Sequence, residues 1–262
     1  MKTPSLLTVL ILSVTGLLPQ AKAQSGMLLY SGSSYGGISC SGGTTMPAYS
    51  SDGNYCAPDS IAMLLGYWDV HNGYSSLFPG PFLGSSPGNG QYLTSNANVQ
   101  SVINTLAGPN YCNTDYSSGT AINNVIPSIK NYAALFGGYN FNASLITPSS
   151  ISSAESTLAN NINAGNPMIF YIDSNGDGIV DHLAPVFGYE TIGANSYYAT
   201  YTSEDESPIW ILFQKVKSGN IGGVYQEIQI TPQATPEPTT LSLAILGGAL
   251  SLILLRKRHH FL

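Results

Sequence analysis

The chain has 262 residues, of which 43% are hydrophobic and only 8% are charged. Only three of its eight basic residues lie between residues 24 and 235, and none of the three is an arginine; they are Lys130, Lys215 and Lys217. With thirteen acidic residues in the same stretch, its formal charge is 3 − 13 = −10. A surface of that sign repels phosphate backbones, which excludes nucleic acid as a partner.

Residues 1–23 have the composition of a secretory signal peptide. A basic start at Lys2 precedes an apolar stretch over residues 6–18, and Ala21-Lys22-Ala23 supplies the small residues of a cleavage site. The apolar stretch is too short to span a bilayer comfortably, which disfavours a permanent anchor. We therefore predict that the chain is exported and cleaved after Ala23.

The first half of the remaining chain has the periodicity of helices. An irregular lead-in with one short strand at residues 27–30 comes first. Residues 58–68 are apolar all round, which is typical of a buried central helix. Residues 96–106 and 119–136 each place apolar side chains on one helical face, although Pro127 should kink or divide the second of these helices.

The second half is dominated by strands. A capping box of Ser152 and Glu155 predicts one more helix, up to residue 164, before the pattern changes. The predicted strands are residues 168–172, 180–189, 196–202, 209–215 and 224–230. Helices followed by an antiparallel sheet indicate the α+β class. Because no internal repeat or linker interrupts residues 24–234, we predict a single domain there.

Three cysteines, Cys40, Cys56 and Cys112, lie in this exported domain. Oxidising surroundings favour disulfides, and an odd number of cysteines leaves one thiol free. The pairing of Cys40 with Cys112 leaves Cys56 as the free thiol, and we favour it. The alternative pairing of Cys40 with Cys56 would remove any nucleophile.

A thiol and an imidazole stand at the starts of two predicted elements. Cys56 precedes the apolar helix, where the helix dipole and the free N–H groups favour a thiolate. His182 opens the apolar part of a predicted strand that continues to Tyr189. A nucleophile and a base brought together from distant segments are the minimum equipment for covalent catalysis.

These two segments resemble the papain-like cysteine peptidases, and most closely the branch that processes bacteriocins with a double-glycine leader. The matching residues are Cys56, Pro58, Leu65-Gly66-Tyr67-Trp68, His182 and Gly188-Tyr189, while Ala57 replaces the usual glycine. The separation, 182 − 56 = 126 residues, is close to the ~130–150 of papain-type enzymes. The resemblance implies a papain-like fold, with the nucleophile helix packed on a C-terminal sheet. It also implies Cys56 as nucleophile, His182 as base and no required cofactor.

Two positions depart from that family. Its oxyanion-binding glutamine is replaced by Ser50, six residues before Cys56. Loss of one such donor typically lowers the rate by about 10²–10³. The family also orients its histidine with an Asp or Asn at the end of the following strand, and this third member stays open here. The candidates are Tyr201 and Thr202 by position, Asp205 as the nearest carboxylate beyond, and Asn195 as the nearest amide before.

Residues 173–181 have features of a calcium loop and of a polar turn. Oxygen-bearing side chains occupy positions 1, 3, 5 and 9 of the loop, as Asp173, Asn175, Asp177 and Asp181. Gly178 takes the sharp-turn position, but the last ligand fails because position twelve is Ala184. One interpretation is a structural calcium ion that braces the turn before His182. The other is a plain polar turn between two strands.

The C-terminal segment, residues 235–262, has the layout of a sorting signal. Pro236-Glu237-Pro238 precedes an apolar run over residues 241–255 and a basic cluster over residues 256–258. A helix over that run would rise only ~22 Å, so the residues before it must help to cross the bilayer. The segment resembles the PEP-CTERM signal of Gram-negative bacteria. That resemblance implies a membrane helix, cleavage by an exosortase and delivery to the cell surface; a plain single-pass anchor is the alternative.

From these features we predict an exported, surface-sorted cysteine peptidase that hydrolyses peptide bonds through Cys56 and His182. The alternative is an inactive peptidase-like fold that serves as a surface or extracellular-matrix binding protein. The predicted partners are an exosortase, the membrane before processing, and a peptide or protein substrate whose identity the sequence leaves open.

Overall fold

The computed structural model describes residues 24–30, 32–42, 45–49, 54–71, 74, 76–78, 97–201, 208–213 and 222–233. The helices are α1 (Cys56–His71), α2 (Ala97–Ala107), α3 (Ile122–Tyr132) and α4 (Ile151–Asn163). The strands are β1 (Gln24–Leu28), β2 (Ser34–Tyr35), β3 (Ile38–Cys40), β4 (Phe141–Ile146), β5 (Met168–Asp173), β6 (His182–Ile192), β7 (Asn195–Thr200), β8 (Ile209–Leu212) and β9 (Gly223–Pro232). The predicted signal peptide and sorting segment lie outside the described residues.

One sheet organises the described chain. Its strand order is β2-β3-β1-β6-β5-β9-β4, with β7 paired to β6 and β8 paired to β7. Every described pairing is antiparallel except that of β1 with β3. Strand β5 is buried on both faces and lies between β6 and β9. The predicted α+β class is therefore confirmed, with helices preceding a largely antiparallel sheet.

Helix α1 is the central helix of the fold, as the sequence predicts. All residues from 61 to 68 are buried, which explains why this helix shows no polar face. It packs against β6 and against α2. The helix begins at Cys56, two residues before the predicted start. Pro58 fits within its first turn, because the first N–H groups of a helix have no intrahelical partner.

The predicted capping box is wrong, and so is the division of a helix at Pro127; a kink at that proline stays a prediction. Pro127 does not divide α3, which continues to Tyr132 and then passes into a π-helical turn, Ala133–Gly137. The proline removes only one intrahelical hydrogen bond, and buried side chains such as Val125 and Ile129 hold the helix in place. The capping box of α4 is formed by Ser150 and Ser153, not by Ser152 and Glu155, because neighbouring serines permit either register.

Strand β4 is the main element that the sequence pattern does not predict. Among the described strands it pairs only with β9, at an edge of the sheet, and its exposed residues do not alternate regularly with more buried ones. Strand β1 begins three residues before the predicted strand at residues 27–30 and overlaps it, because its register is set by β6. Within the described residues, no helix combines the length and the hydropathy that crossing a bilayer requires.

Candidate active site

A cleft of about 520 Å³ opens where helix α1 begins and strand β6 begins. Four segments line it: Asn54 and Cys56 at the start of α1, residues 117–120 leading to α3, Tyr171 near the end of β5, and residues 180–183. Cys56 and His182, the two residues predicted for catalysis, therefore face the same cleft.

Leu183 fixes the start of β6 against the start of α1. Its backbone carbonyl accepts a hydrogen bond from the Ser60 hydroxyl over 3.1 Å. A further backbone hydrogen bond joins Leu183 to the thiol of Cys56. Leu183, the residue after His182, is thus hydrogen-bonded to the Cys56 side chain. Within the described part of the chain, however, no hydrogen bond joins the thiol to the imidazole.

Burial dominates the electrostatics of Cys56. It raises the pKa of the thiol, and the nearby carboxylates of Asp59 and Asp181 raise it further. Backbone hydrogen bonds from Leu183 and Ala57 lower the pKa but do not compensate. The helix start does favour the thiolate, as expected, but desolvation outweighs that influence in the resting site.

The pKa of His182 is shifted in the opposite direction to that of Cys56. Burial lowers the pKa of its imidazole, and the carboxylate of Asp181 partly opposes that shift. A raised thiol pKa and a lowered imidazole pKa keep both groups neutral at neutral pH. The resting site therefore holds its transferable proton on sulfur.

A turn over residues 115–119 forms the wall opposite the sheet. The Asp115 carboxylate accepts hydrogen bonds from the backbone N–H groups of Ser117 and Ser118, over 2.9 and 3.0 Å, and from both hydroxyls. These bonds lower the pKa of Asp115 to about 2. The Asn54 amide donates to the carbonyls of Tyr116 (3.0 Å) and Ser117 (3.2 Å), so the turn is tied to the segment that carries the thiol.

The sequence analysis did not identify this turn as part of the site. The pattern Asp-x-Ser-Ser-Gly over residues 115–119 is a recognisable turn signature, because a short acidic side chain caps the N–H groups that follow it. Nothing in the sequence, however, shows that Asn54 contacts the turn from 62 residues away.

Tyr171 and Cys112 lie beneath the thiol. The Tyr171 hydroxyl donates to the Ile122 carbonyl over 3.2 Å, and both cysteine charges bear on the pKa of this tyrosine. Cys112 is fully buried, and burial raises its pKa to about 11. Ionisation of Cys56 would also raise the pKa of Cys112, which places the two thiols in one neighbourhood.

The predicted disulfide between Cys40 and Cys112 is wrong. All three cysteines are free thiols in the structure, so the alternative pairing of Cys40 with Cys56 is absent too. Cys40 lies on β3, beyond β1 from β6, whereas Cys112 is in the core beside Tyr171. The free state of Cys56 agrees with the prediction, although not through the pairing proposed for it.

The candidates for the third member do not reach the cleft where they are described. Asn195 pairs with Ile192, at the opposite end of β6 from His182. The Tyr201 hydroxyl donates to the Met46 carbonyl over 2.9 Å in the buried core. Thr202, Asp205 and the oxyanion candidate Ser50 lie outside the described residues. Asp181, which the sequence analysis did not assign to this role, lines the cleft and acts on the imidazole.

The carboxylates of the turn over residues 173–181 accept hydrogen bonds from N–H groups of the same turn. The Asp173 carboxylate accepts from the N–H groups of Gly176 (2.6 Å), Asp177 (3.1 Å) and Gly178 (2.7 Å). Asp181 accepts from the Ser174 N–H over 2.7 Å. Among the described residues, no group of three or more His, Cys, Asp or Glu could hold a metal ion. These contacts favour the interpretation as a polar turn, and calcium stays an unsupported prediction.

Comparisons with known proteins add little to this geometry. No protein-family model and no curated protein matches the chain. Among solved structures, the crystal structure of UfSP from C. elegans is similar at 13% identity and a TM-score of 0.37, over 72% of this chain and 32% of that one. The chain thus spans about a third of the length of UfSP. A likeness of this size bears on neither fold nor chemistry.

Proposed function

We propose that the chain is a cysteine-type hydrolase of peptide bonds, with Cys56 as nucleophile and His182 as general base. The observation that carries the proposal is that both side chains line one cleft, although 126 residues separate them. Strand β6 is held at this position by Leu183, which is bonded to Ser60 and to the Cys56 thiol. A nucleophile and a base on separate, well-anchored elements fit the geometry that covalent catalysis needs.

The neutral resting site determines the order of proton transfer. The imidazole of His182 takes the thiol proton as sulfur bonds to the substrate carbonyl carbon. The backbone N–H of Cys56, at the start of α1, is the group that would stabilise the oxyanion that develops, since Pro58 has no N–H and the Asp59 N–H donates to the Tyr55 carbonyl. The imidazolium then protonates the leaving amine as the C–N bond breaks. Water hydrolyses the resulting thioester, which releases the acid and returns the proton to sulfur.

Substitution at the two residues tests this mechanism. Cys56→Ala and His182→Ala in the full-length chain should each lower the turnover of a fluorogenic peptide library by orders of magnitude, because both act in one step. Cys40→Ser is the matched thiol control, since Cys40 lies on β3 outside the cleft, and it should retain activity. Residual turnover in Cys56→Ala equal to that of the unsubstituted chain would refute the mechanism.

One observation favours a second candidate function, that of an inactive peptidase-like binding protein. The pKa of the Cys56 thiol is raised, and no hydrogen bond in the described residues joins it to His182. A site left in that state would bind a peptide without cleaving it. Peptide binding that survives Cys56→Ala, together with no turnover by the unsubstituted chain, would establish this alternative.

We further propose that the protein is exported and sorted to the cell surface by an exosortase. The basic and apolar signal at residues 1–23 and the triplet Pro236-Glu237-Pro238 ahead of an apolar run support this. Replacement of the triplet by three alanines should trap the protein in the membrane. Unaltered release of that variant, measured by fractionation and immunoblotting, would contradict the sorting proposal.

A further inference from the structure

Exposed apolar side chains cluster around the cleft. Within the described residues, six large hydrophobic side chains are exposed; one of them lines this site and two directly precede residues that line it. Ile122 (37% exposed) lines the cleft at the start of α3, Tyr116 (67%) directly precedes the lining residue Ser117, and Ile179 (65%) directly precedes the lining residue Val180. We call these two segments, residues 116–122 and 179–180, the rims of the cleft. Single exposed apolar residues are ordinary on a protein surface, but a group that flanks one cleft indicates a contact surface.

The same cleft is acidic. Asp181 lines it, and Asp115, whose pKa is about 2, is ionised in the turn that forms one wall. No lysine or arginine is present among its described lining residues. A cleft of one sign attracts ligands of the opposite charge, and the attraction is screened by salt.

We propose that the cleft takes an extended polypeptide segment that carries a large apolar side chain on each side of the bond above Cys56, and a lysine or arginine beside the Asp115 turn. This inference rests on the proposed function and specifies its substrate class. The apolar side chains would cover Tyr116 and Ile122 on one rim and Ile179 on the other. Acidic segments are disfavoured, because the cleft offers their carboxylates no cation.

The two isoleucines at the rims favour a polypeptide over a glycan, although Asn54, Ser117, Ser118 and Thr120 in the cleft offer polar groups to either. The rim side chains of Ile122 and Ile179 offer no hydrogen-bonding group for sugar hydroxyls, whereas they can bury apolar side chains. Covering about half of an exposed isoleucine is worth roughly tenfold in affinity. The two rims together can therefore discriminate strongly between apolar and polar segments.

Binding to the full-length Cys56→Ala chain tests the inference without turnover. Three labelled peptides of equal length are compared by fluorescence anisotropy: one apolar and lysine-containing, one apolar with glutamate in place of lysine, and one with lysine but with serine in place of its apolar residues. The first should bind best and each of the others roughly tenfold more weakly. The advantage of lysine over glutamate should shrink at high salt.

Two substitutions locate the binding surface. Ile179→Ser should weaken the apolar, lysine-containing peptide roughly tenfold. Leu135→Ser is the matched control, because Leu135 is similarly exposed (71%) but lies beyond the far end of α3, at least ~15 Å along the helix axis from Ile122. That control should leave affinity unchanged. Equal losses in both variants, equal binding of all three peptides, or no binding by any of them would overturn the inference.

The outcome for the inference can be separated from that for the proposed function. If the apolar, lysine-containing peptide binds as expected but the unsubstituted chain does not cleave it, hydrolysis fails and the binding preference stands. If the unsubstituted chain cleaves all three peptides with equal kcat/KM, hydrolysis stands and the preference is overturned.

Discussion

Glu227 is a buried carboxyl group whose protonation should control stability. It lies on β9 with no solvent exposure, and in the described part of the chain neither of its oxygens has a hydrogen-bond partner. Its directly paired neighbours are the apolar residues Ile146 on β4 and Phe170 on β5. Burial raises its pKa from 4.5 to about 8. The folded chain therefore holds a proton at neutral pH that the unfolded chain has released.

The sign and size of the effect follow from proton linkage. Between the two pKa values the folded state binds more protons, so its stability falls as pH rises, by about 1.4 kcal/mol per pH unit. The interval is 8 − 4.5 = 3.5 units, which sets an upper bound of about 5 kcal/mol for the total loss. Roughly 3 kcal/mol of that is lost by neutral pH. A typical domain has only about 5–15 kcal/mol to lose.

We predict that Glu227→Gln removes this dependence on pH. Urea unfolding followed by tryptophan fluorescence at several pH values between about 5 and 8 measures the slope directly. Glu190→Gln is the control, because Glu190 is also a buried carboxyl on the sheet but accepts a hydrogen bond from Gln24 over 2.6 Å. That variant should keep the slope of the unsubstituted chain. A Glu227→Gln variant that keeps the same slope would refute the reasoning.

Three further predictions concern the thiols and the sheet. Iodoacetamide should label Cys56 in the folded chain and leave Cys112 unmodified, because Cys112 is fully buried with a pKa of about 11; peptide mapping that finds equal labelling would contradict this. The alkylation rate of Cys56 should keep rising with pH beyond neutrality, since burial raises its pKa above 9.0, and a plateau near neutral pH would show a thiolate instead. Gly26→Ala should destabilise the fold by about 2 kcal/mol, because its Cβ would overlap the Tyr189 carbonyl of β6, whereas Ser25→Ala should have little effect on urea unfolding.

The parts of the fold that the sequence predicts are those with strong periodicity. Helix α1 is predicted because every residue from 61 to 68 is buried, which leaves an unbroken apolar run. Strand β5 is predicted for the same reason. Cys56 is placed at the start of α1 by that apolar run, and His182 is placed at the start of β6 by the resemblance. Their common cleft is a consequence of β6 pairing next to β5 and packing on α1.

The remaining features depend on contacts between distant residues. The hydrogen bonds from Asn54 to the turn at residues 116–117 have no local signature. Edge strand β4 lacks a clear alternation because it pairs on one side only. The predicted disulfide is wrong because counting cysteines says nothing about whether Cys40 and Cys112 meet. The helix start favours a thiolate at Cys56, but the burial that outweighs it cannot be estimated from helix position alone.

The bond from Ser60 to Leu183 also has a consequence for how the protein matures. It joins residues 123 positions apart, and the last strand, β9, pairs with both β4 and β5. Contacts of such long range form slowly, because a large loop must close before they are gained. During synthesis the chain therefore carries Cys56 for more than a hundred residues before His182 is made. The cleft beside Cys56 can form only once the residues that begin β6 are present.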